Sequence, residues 1–180
     1  MKKHIFLILI LFAFISCQSR DKLRSGIFLG GQIVNPSSRT VALYQGVNTI
    51  EALKLDKKLR FERKFDSLPS GIYKLEHLPE YQTLLLEERD SLWVRINAAV
   101  FNESIVYSGI GASKNNFLIE LFLRQKSENN FLSTKYSSNK KSFKNIVDSL
   151  LNEKKQLWIE MDSLNNLSPV AQKVTQAAYI

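Results

Sequence analysis

Between Ile27 and Tyr107 the apolar residues recur at every second position, and after Ser108-Gly109 they recur at every third or fourth. A period of two puts one face of a strand against a core, and a period near 3.6 does the same for a helix. This single change of period predicts strands first and helices afterwards. Ile27, Leu29, Gly31 and Ile33 alternate with other residues, and Asn35-Pro36-Ser37-Ser38 is a turn cluster. Val41 and Leu43 resume the alternation, Gln45-Gly46 interrupts it, and Ile50, Leu53 and Leu55 follow. Leu59, Phe61 and Phe65 alternate with Arg60, Glu62 and Lys64, as in a strand wet on one face. Ile72 to Leu75 starts again after Leu68-Pro69-Ser70-Gly71. Tyr81 to Leu86 is apolar enough to be buried on both faces. Leu92, Val94 and Ile96 form another run, and Ile105 to Tyr107 is the last. The expected fold is α+β: a small antiparallel β-sandwich of seven to eight short strands followed by two to three helices.

In the helical part, Phe117, Leu118, Leu121 and Phe122 share one face, with Ser113 as the expected N-cap. Glu128 to Asn139 is polar and reads as a loop. The strongest helical pattern follows, through Phe143, Ile146, Val147, Leu150, Leu151, Leu157, Trp158 and Met161. Ser168-Pro169 marks a third start, a cap followed by proline at the first helical position. The apolar pattern there is still running at Tyr179-Ile180, so the helical segment is expected to continue beyond Ile180. These features divide the chain into a signal (1–16), a tether (17–25), a β-rich domain (26–111) and a helical segment (112–180).

Cys17 is the single cysteine. It follows a basic start, Lys2, Lys3 and His4, and an apolar run from Ile5 to Ile15. That is the layout of an export signal, and the run is short of the roughly 20 residues a membrane-spanning helix needs. Cys17 could be a structural thiol, a reactive thiol or a lipid attachment point. Ordinary signal cleavage before it would fit Ser16 but not Phe14. Phe14-Ile15-Ser16-Cys17 instead resembles the lipobox of bacterial lipoproteins, which implies a covalent diacylglycerol and acyl modification at Cys17 and a lipid bilayer as partner. Two or three acyl chains make a lasting anchor where one does not. The implied location is the cell envelope, on the periplasmic face of the outer or inner membrane. Asp21 alone, between Arg20 and Lys22, leaves surface display undecided.

With Cys17 used by lipid, the exported part carries no thiol chemistry of its own. Of the net charge of +8, about +6 stays after the signal is removed. An exported protein meets little nucleic acid, so none is expected as a partner. Eleven Phe and six Tyr supply core material, so disorder is not expected.

Several residues invite a sharper reading. Gly109-Ile110-Gly111 before a helix could cradle phosphate. The dinucleotide fingerprint needs a third glycine where this chain has Lys114, so a tight turn is the expectation. His77 is the one histidine outside the signal, and it reads as an exposed or half-buried loop residue rather than a base. Glu87, Glu88 and Asp90 could supply a carboxylate pair, but a solvated turn is the simpler reading. No catalytic residue, no metal site and no other cofactor are expected. Lys140, Lys141 and Lys144, beside Lys135 and Tyr136, could contact lipid head groups or a partner domain. Trp93 alternates away from Leu92 and Val94, and is either a binding anchor or the surface on which the helices dock. Docking is the favoured expectation.

Four stretches share a resemblance. They are Phe28-Leu29-Gly30-Gly31-Gln32-Ile33, Ser70-Gly71-Ile72-Tyr73, Leu86-Glu87-Glu88-Arg89-Asp90-Ser91-Leu92, and Tyr107-Ser108-Gly109-Ile110-Gly111-Ala112 with Asn115-Asn116. Together they resemble the β-rich N-terminal domain of TlpA-type thioredoxin-like lipoproteins of Bacteroidetes. The chain departs from that pattern at Arg89, where the family often has glycine, and in lacking the redox domain with its Cys-x-x-Cys. The resemblance implies a non-catalytic accessory region that positions a thioredoxin-like domain. The alternative is a stand-alone envelope lipoprotein that binds a peptide or a glycan. The oligomeric state is left open.

Overall fold

A computed structural model describes residues 25–179. Eight strands form two four-stranded sheets: β1 (Ile27–Val34), β2 (Thr40–Gln45), β3 (Asn48–Lys54), β4 (Arg60–Phe65), β5 (Gly71–His77), β6 (Glu80–Leu86), β7 (Ser91–Asn97) and β8 (Val106–Ile110). One sheet has the order β4-β1-β7-β8 and the other β3-β2-β5-β6. The α+β architecture is the one expected from the change of period. One pairing departs from a purely antiparallel arrangement, because β1 and β7 run parallel. The chain crosses between the sheets four times, from β1 to β2, β3 to β4, β4 to β5 and β6 to β7, and the last crossing sets β7 beside β1 in the same direction.

Alternation places the core. Ile27, Leu29 and Ile33 of β1 and Leu92, Val94 and Ile96 of β7 point inward and are buried. They meet Val41, Leu43, Tyr73, Leu75, Leu84 and Leu86 from the other sheet. Burying such side chains is worth about 1.5–3 kcal/mol each. Leu85, on the opposite face of β6, is fully buried as well. Tyr81, expected to share that burial, is exposed. Tyr107 of β8 is a core side chain with an unmet need, since its buried hydroxyl has no hydrogen-bond partner among the described residues. Burial drives its phenol well above the ordinary range. Tyr107→Phe should therefore raise stability by about 1 kcal/mol, because a desolvated hydroxyl is removed at little cost in shape. Chemical denaturation would measure it, and a clear loss of stability would mean that the hydroxyl is satisfied.

A 3-10 turn (Ala98–Val100) and the one-turn helix α1 (Phe101–Ser104) join β7 to β8. Three longer helices follow: α2 (Ala112–Ser133), α3 (Lys140–Asn165) and α4 (Pro169–Ala177). β8 continues through Ser108-Gly109 to Ile110, so the switch to helix falls at Gly111 and not at Ser108-Gly109. The residue before α2 is Gly111, at φ +89, and Ser113 is not its cap. A Cβ on Gly111 would lie 2.4 Å from an Asp90 carboxylate oxygen. The left-handed conformation and the close approach both require glycine here. Residues 128–133, expected in a loop, are the last turns of α2. A helix lying on the surface needs few apolar residues once its neighbours hold it. Ser168 caps α4 as expected, accepting a hydrogen bond from the Ala171 N–H at 3.0 Å, with Pro169 beside it. That helix ends at Ala177 rather than running on through Tyr179, whose ring is buried with Phe117 and Leu121.

α2 runs where the open edges of the two sheets come together, touching β6 and β8. Two adjacent residues of α2 close those edges. The Asn115 side chain accepts from the Leu85 N–H at 2.8 Å and donates to the Leu85 carbonyl at 2.9 Å. Asn116 does the same for Tyr107 of β8, at 2.8 and 2.9 Å. Each amide thus stands in for one residue of a neighbouring strand, and the exposed edges that invite further pairing are covered. α3 packs on α2 and α4, and a Lys154–Glu128 ion pair at 2.8 Å ties it to α2. No residue of α3 is fully buried, and Val147, Leu151 and Ile159 remain exposed along its apolar stripe.

Candidate functional site

The outer face of the β4-β1-β7-β8 sheet carries the most unusual surface of the molecule. Because Ile27, Leu29 and Ile33 point inward, Phe28, Gly30 and Gln32 point outward. The register sets Gly30 between Glu62 and Trp93, and Gln32 between Arg60 and Arg95. The six-membered ring of Trp93 covers Gly30 so closely that a Cβ there would sit 2.9 Å from two of its carbons and 3.1 Å from Phe28. Gly30 is the seat that lets the indole lie down on the sheet. Trp93 stays half-buried, and the Arg60 guanidinium stands 6.0 Å from the ring centroid, at the outer limit of a cation–π contact. The expectation that the helices dock on Trp93 is therefore wrong. Asn115 and Asn116 hold them at the sheet edges instead, where backbone groups need partners.

Beside Trp93 lies a basin of about 660 Å³, lined by Lys54, Asp56, Lys57, Lys58, Arg60, Phe61, Glu62 and Trp93 itself. Its floor is the turn between β3 and β4. Asp56 shapes that turn by accepting from the backbone N–H groups of Lys58 at 2.7 Å and Arg60 at 2.8 Å. These contacts, the Arg60 N–H foremost, hold its carboxyl below the usual range. One Asp56 oxygen is thus committed to the turn, while Lys54, Lys57, Lys58 and Arg60 make no ion pair among the described residues. A second basin of about 400 Å³, with Phe28, Lys64 and Arg89 in its lining, opens toward the other end of the same face.

A different cluster sits where the sheets meet the helices. The carboxylates of Glu87 and Asp90, expected in a solvated turn, are turned inward onto Lys114 of α2. Lys114 Nζ lies 2.6 Å from Glu87 Oε2 and 2.8 Å from Asp90 Oδ2. Lys114 is 4% exposed and Asp90 5%. Only Glu88 remains on the surface as expected. Glu87 also accepts a hydrogen bond from the Ser168 hydroxyl at the start of α4, and Asp90 accepts from the Glu87 N–H at 2.8 Å. Burial holds the Asp90 carboxyl above its ordinary range, against the opposing pull of Lys114. Arg89, between them, adopts φ +72, a conformation that costs glycine nothing. This cluster bolts the β6–β7 turn to α2 and α4. Its one cation lies buried between two carboxylates, so it acts as a joint.

His77 is not a loop residue either. It ends β5, is 2% exposed, and has both ring nitrogens engaged by backbone. Nε2 accepts from the Ser37 N–H at 3.1 Å and Nδ1 donates to the Thr40 carbonyl at 3.0 Å. The Ser37 hydroxyl, 3.2 Å from Nε2, donates to the Leu78 carbonyl. The imidazole is a strut between the β1–β2 turn and the end of β5, and its lone pair is already taken. Among the described residues no three His, Asp or Glu side chains are grouped to hold a metal ion.

Lys140, Lys141 and Lys144 lie exposed at the start of α3, on a different element from Trp93, and do not join it in one site. Lys144 pairs with Asp148 at 2.5 Å one turn on, and Tyr136 stacks on Phe143 at 5.9 Å. Cys17 lies outside the described residues. Among those described, no helix is long and apolar enough to cross a membrane. Sequence reasoning singled out Trp93 but missed its cationic rim. The signal was present in Lys54 to Arg60, which holds four basic residues and one acid. No family model matches this chain, and comparisons with curated proteins and with solved structures return no match.

Proposed function

We propose that this chain is a lipid-anchored envelope protein whose sandwich and helices form a non-catalytic platform that holds a thioredoxin-like domain near a membrane. The observation that carries the reading is the joint between the two parts of the fold. A platform must transmit position, and here α2 is fixed to both sheets at once by Asn115 and Asn116. Lys114 and Ser168 fix the start of the first and third long helices to the same β6–β7 turn. The lipobox-like segment supplies the anchoring end, and the half-covered stripe of α3 offers apolar surface on the helical side.

Cys17→Ala tests the anchored half of the proposal. Labelling with a fatty acid should mark the wild type in the membrane fraction, and the variant should lose the label and become soluble. An unlabelled, soluble wild type with a free thiol at Cys17 would overturn it. Sequencing the reading frame beyond Ile180 tests the presenting half, and a Cys-x-x-Cys domain is the expected finding.

A further inference from the structure

We infer that the outer face of the β4-β1-β7-β8 sheet binds an acidic oligosaccharide, with the Trp93 indole as the stacking platform and the β3–β4 turn supplying the cations. This goes beyond the platform role and does not depend on it. Three observations converge on this ligand.

The first is the seating of the indole. A tryptophan on a solvent-facing sheet position normally stands among neighbouring side chains. Here the neighbouring position is Gly30, and the ring covers it. The six-membered ring is braced from beneath by the backbone and half-open above. A broad apolar ring held this way matches the C–H face of a sugar ring, and its rigidity lowers the ordering cost of binding.

The second is charge. Lys54, Lys57, Lys58 and Arg60 surround one side of the indole. Asp56 beside them has a carboxylate oxygen engaged by backbone N–H groups, which leaves Glu62 as the other acid in the lining. Arg95, two residues along β7, adds a further cation on the same face. An arginine fork pairs well with a planar carboxylate. The cations favour a sugar that carries acid groups over a neutral one.

The third is extent. The two basins, of about 660 and about 400 Å³, lie along the Phe28–Trp93 strip, and each is lined by cations. A single ring would occupy part of one of them, whereas a short chain spans both. On the Phe28–Trp93 strip itself an extended peptide finds no free backbone, because β1 and β7 are interior strands whose backbone groups are already paired. A ligand held by charge alone would need no indole.

The probe is trigalacturonate, titrated calorimetrically into the full chain at low salt, beside neutral galactotriose and inorganic phosphate. The expected result is saturable binding of trigalacturonate, with the neutral trisaccharide weaker by at least about tenfold. Trp93→Ala should weaken binding by at least about tenfold, and so should the double change Lys57→Glu, Lys58→Glu. The two lysines lie on an exposed turn outside the core, so a loss there cannot be assigned to unfolding. Circular dichroism checks the Trp93 variant, and Arg60→Ala replaces it if that variant does not fold. Three results would overturn the inference. One is no binding of trigalacturonate at millimolar concentration. Another is binding that survives loss of the indole, which would mean a charge-only interaction. The third is phosphate binding as tightly as the sugar acid.

Discussion

Lys114→Met should destabilise the protein by about 3–5 kcal/mol at neutral pH, the cost of leaving buried charge without its partner. Methionine keeps most of the apolar stem and removes the ammonium group with its two hydrogen bonds. Glu87 and Asp90 would then face each other across the space that Lys114 Nζ now fills at 2.6 and 2.8 Å. The pH dependence is the sharper part of the result. Asp90 already has a folded pKa above its unfolded value, first because of burial. A carboxyl of that kind contributes stability that is fully present below the unfolded pKa and is lost as pH rises through the folded one. Removing Lys114 raises the folded value further, so the loss extends to higher pH. The variant should therefore recover part of its deficit on mild acidification from neutral, as Asp90 takes up a proton. Asp90→Asn should cost less than Lys114→Met, because Lys114 keeps Glu87 and the amide can still accept from the Glu87 N–H. Urea denaturation of the three proteins at two pH values would measure all of this. A variant within about 1 kcal/mol of wild type at neutral pH would mean that the cluster is not the joint described above.

The second large effect belongs to Asn115. Its removal in Asn115→Ala leaves the Leu85 N–H and carbonyl buried without partners, where each costs about 1–3 kcal/mol. The expected loss is about 3–5 kcal/mol, since the bond from Asn115 to the Gly111 carbonyl at 3.0 Å goes too. Asn116→Ala should cost less, because the Tyr107 backbone is only partly buried and can turn to water. Hydrogen exchange gives the local readout. The Leu85 amide should lose protection more than any other in the β6 strand. Unchanged protection there would show that the side-chain amide is not its partner. The same variant should expose an unpaired edge and tend to associate.

These two positions also show where reading the sequence stops. Most strands between Ile27 and Tyr107 were legible because alternation records a wet face directly, whereas the extension of β8 to Ile110 was not. Ser168-Pro169 was legible because a cap and a proline act within one turn of chain. Glu87 and Asp90 read as wet because a run of four charged residues normally is, and their partner Lys114 stands 24 residues beyond Asp90. No local pattern carries that pairing. Asn115-Asn116 left a faint trace. Two consecutive asparagines are poor helix formers, and their presence near the start of α2 points to a task for the backbone of something else. His77 was misplaced for a similar reason, since its ring reaches across to the Ser37 N–H, forty residues away in sequence.

Trp93 divides the two kinds of information most plainly. Its outward direction followed from the period of two along β7, so the sequence alone determined that an indole would stand on the outer face of a sheet. What covers it, and what surrounds it, depended on tertiary structure. Gly30 lies beside Trp93 only because β1 and β7 pair in parallel in this register. The helices leave the face open because the unsatisfied backbone of two sheet edges draws them away. Period is a local property of the chain, whereas register and edge satisfaction are set by which strands meet.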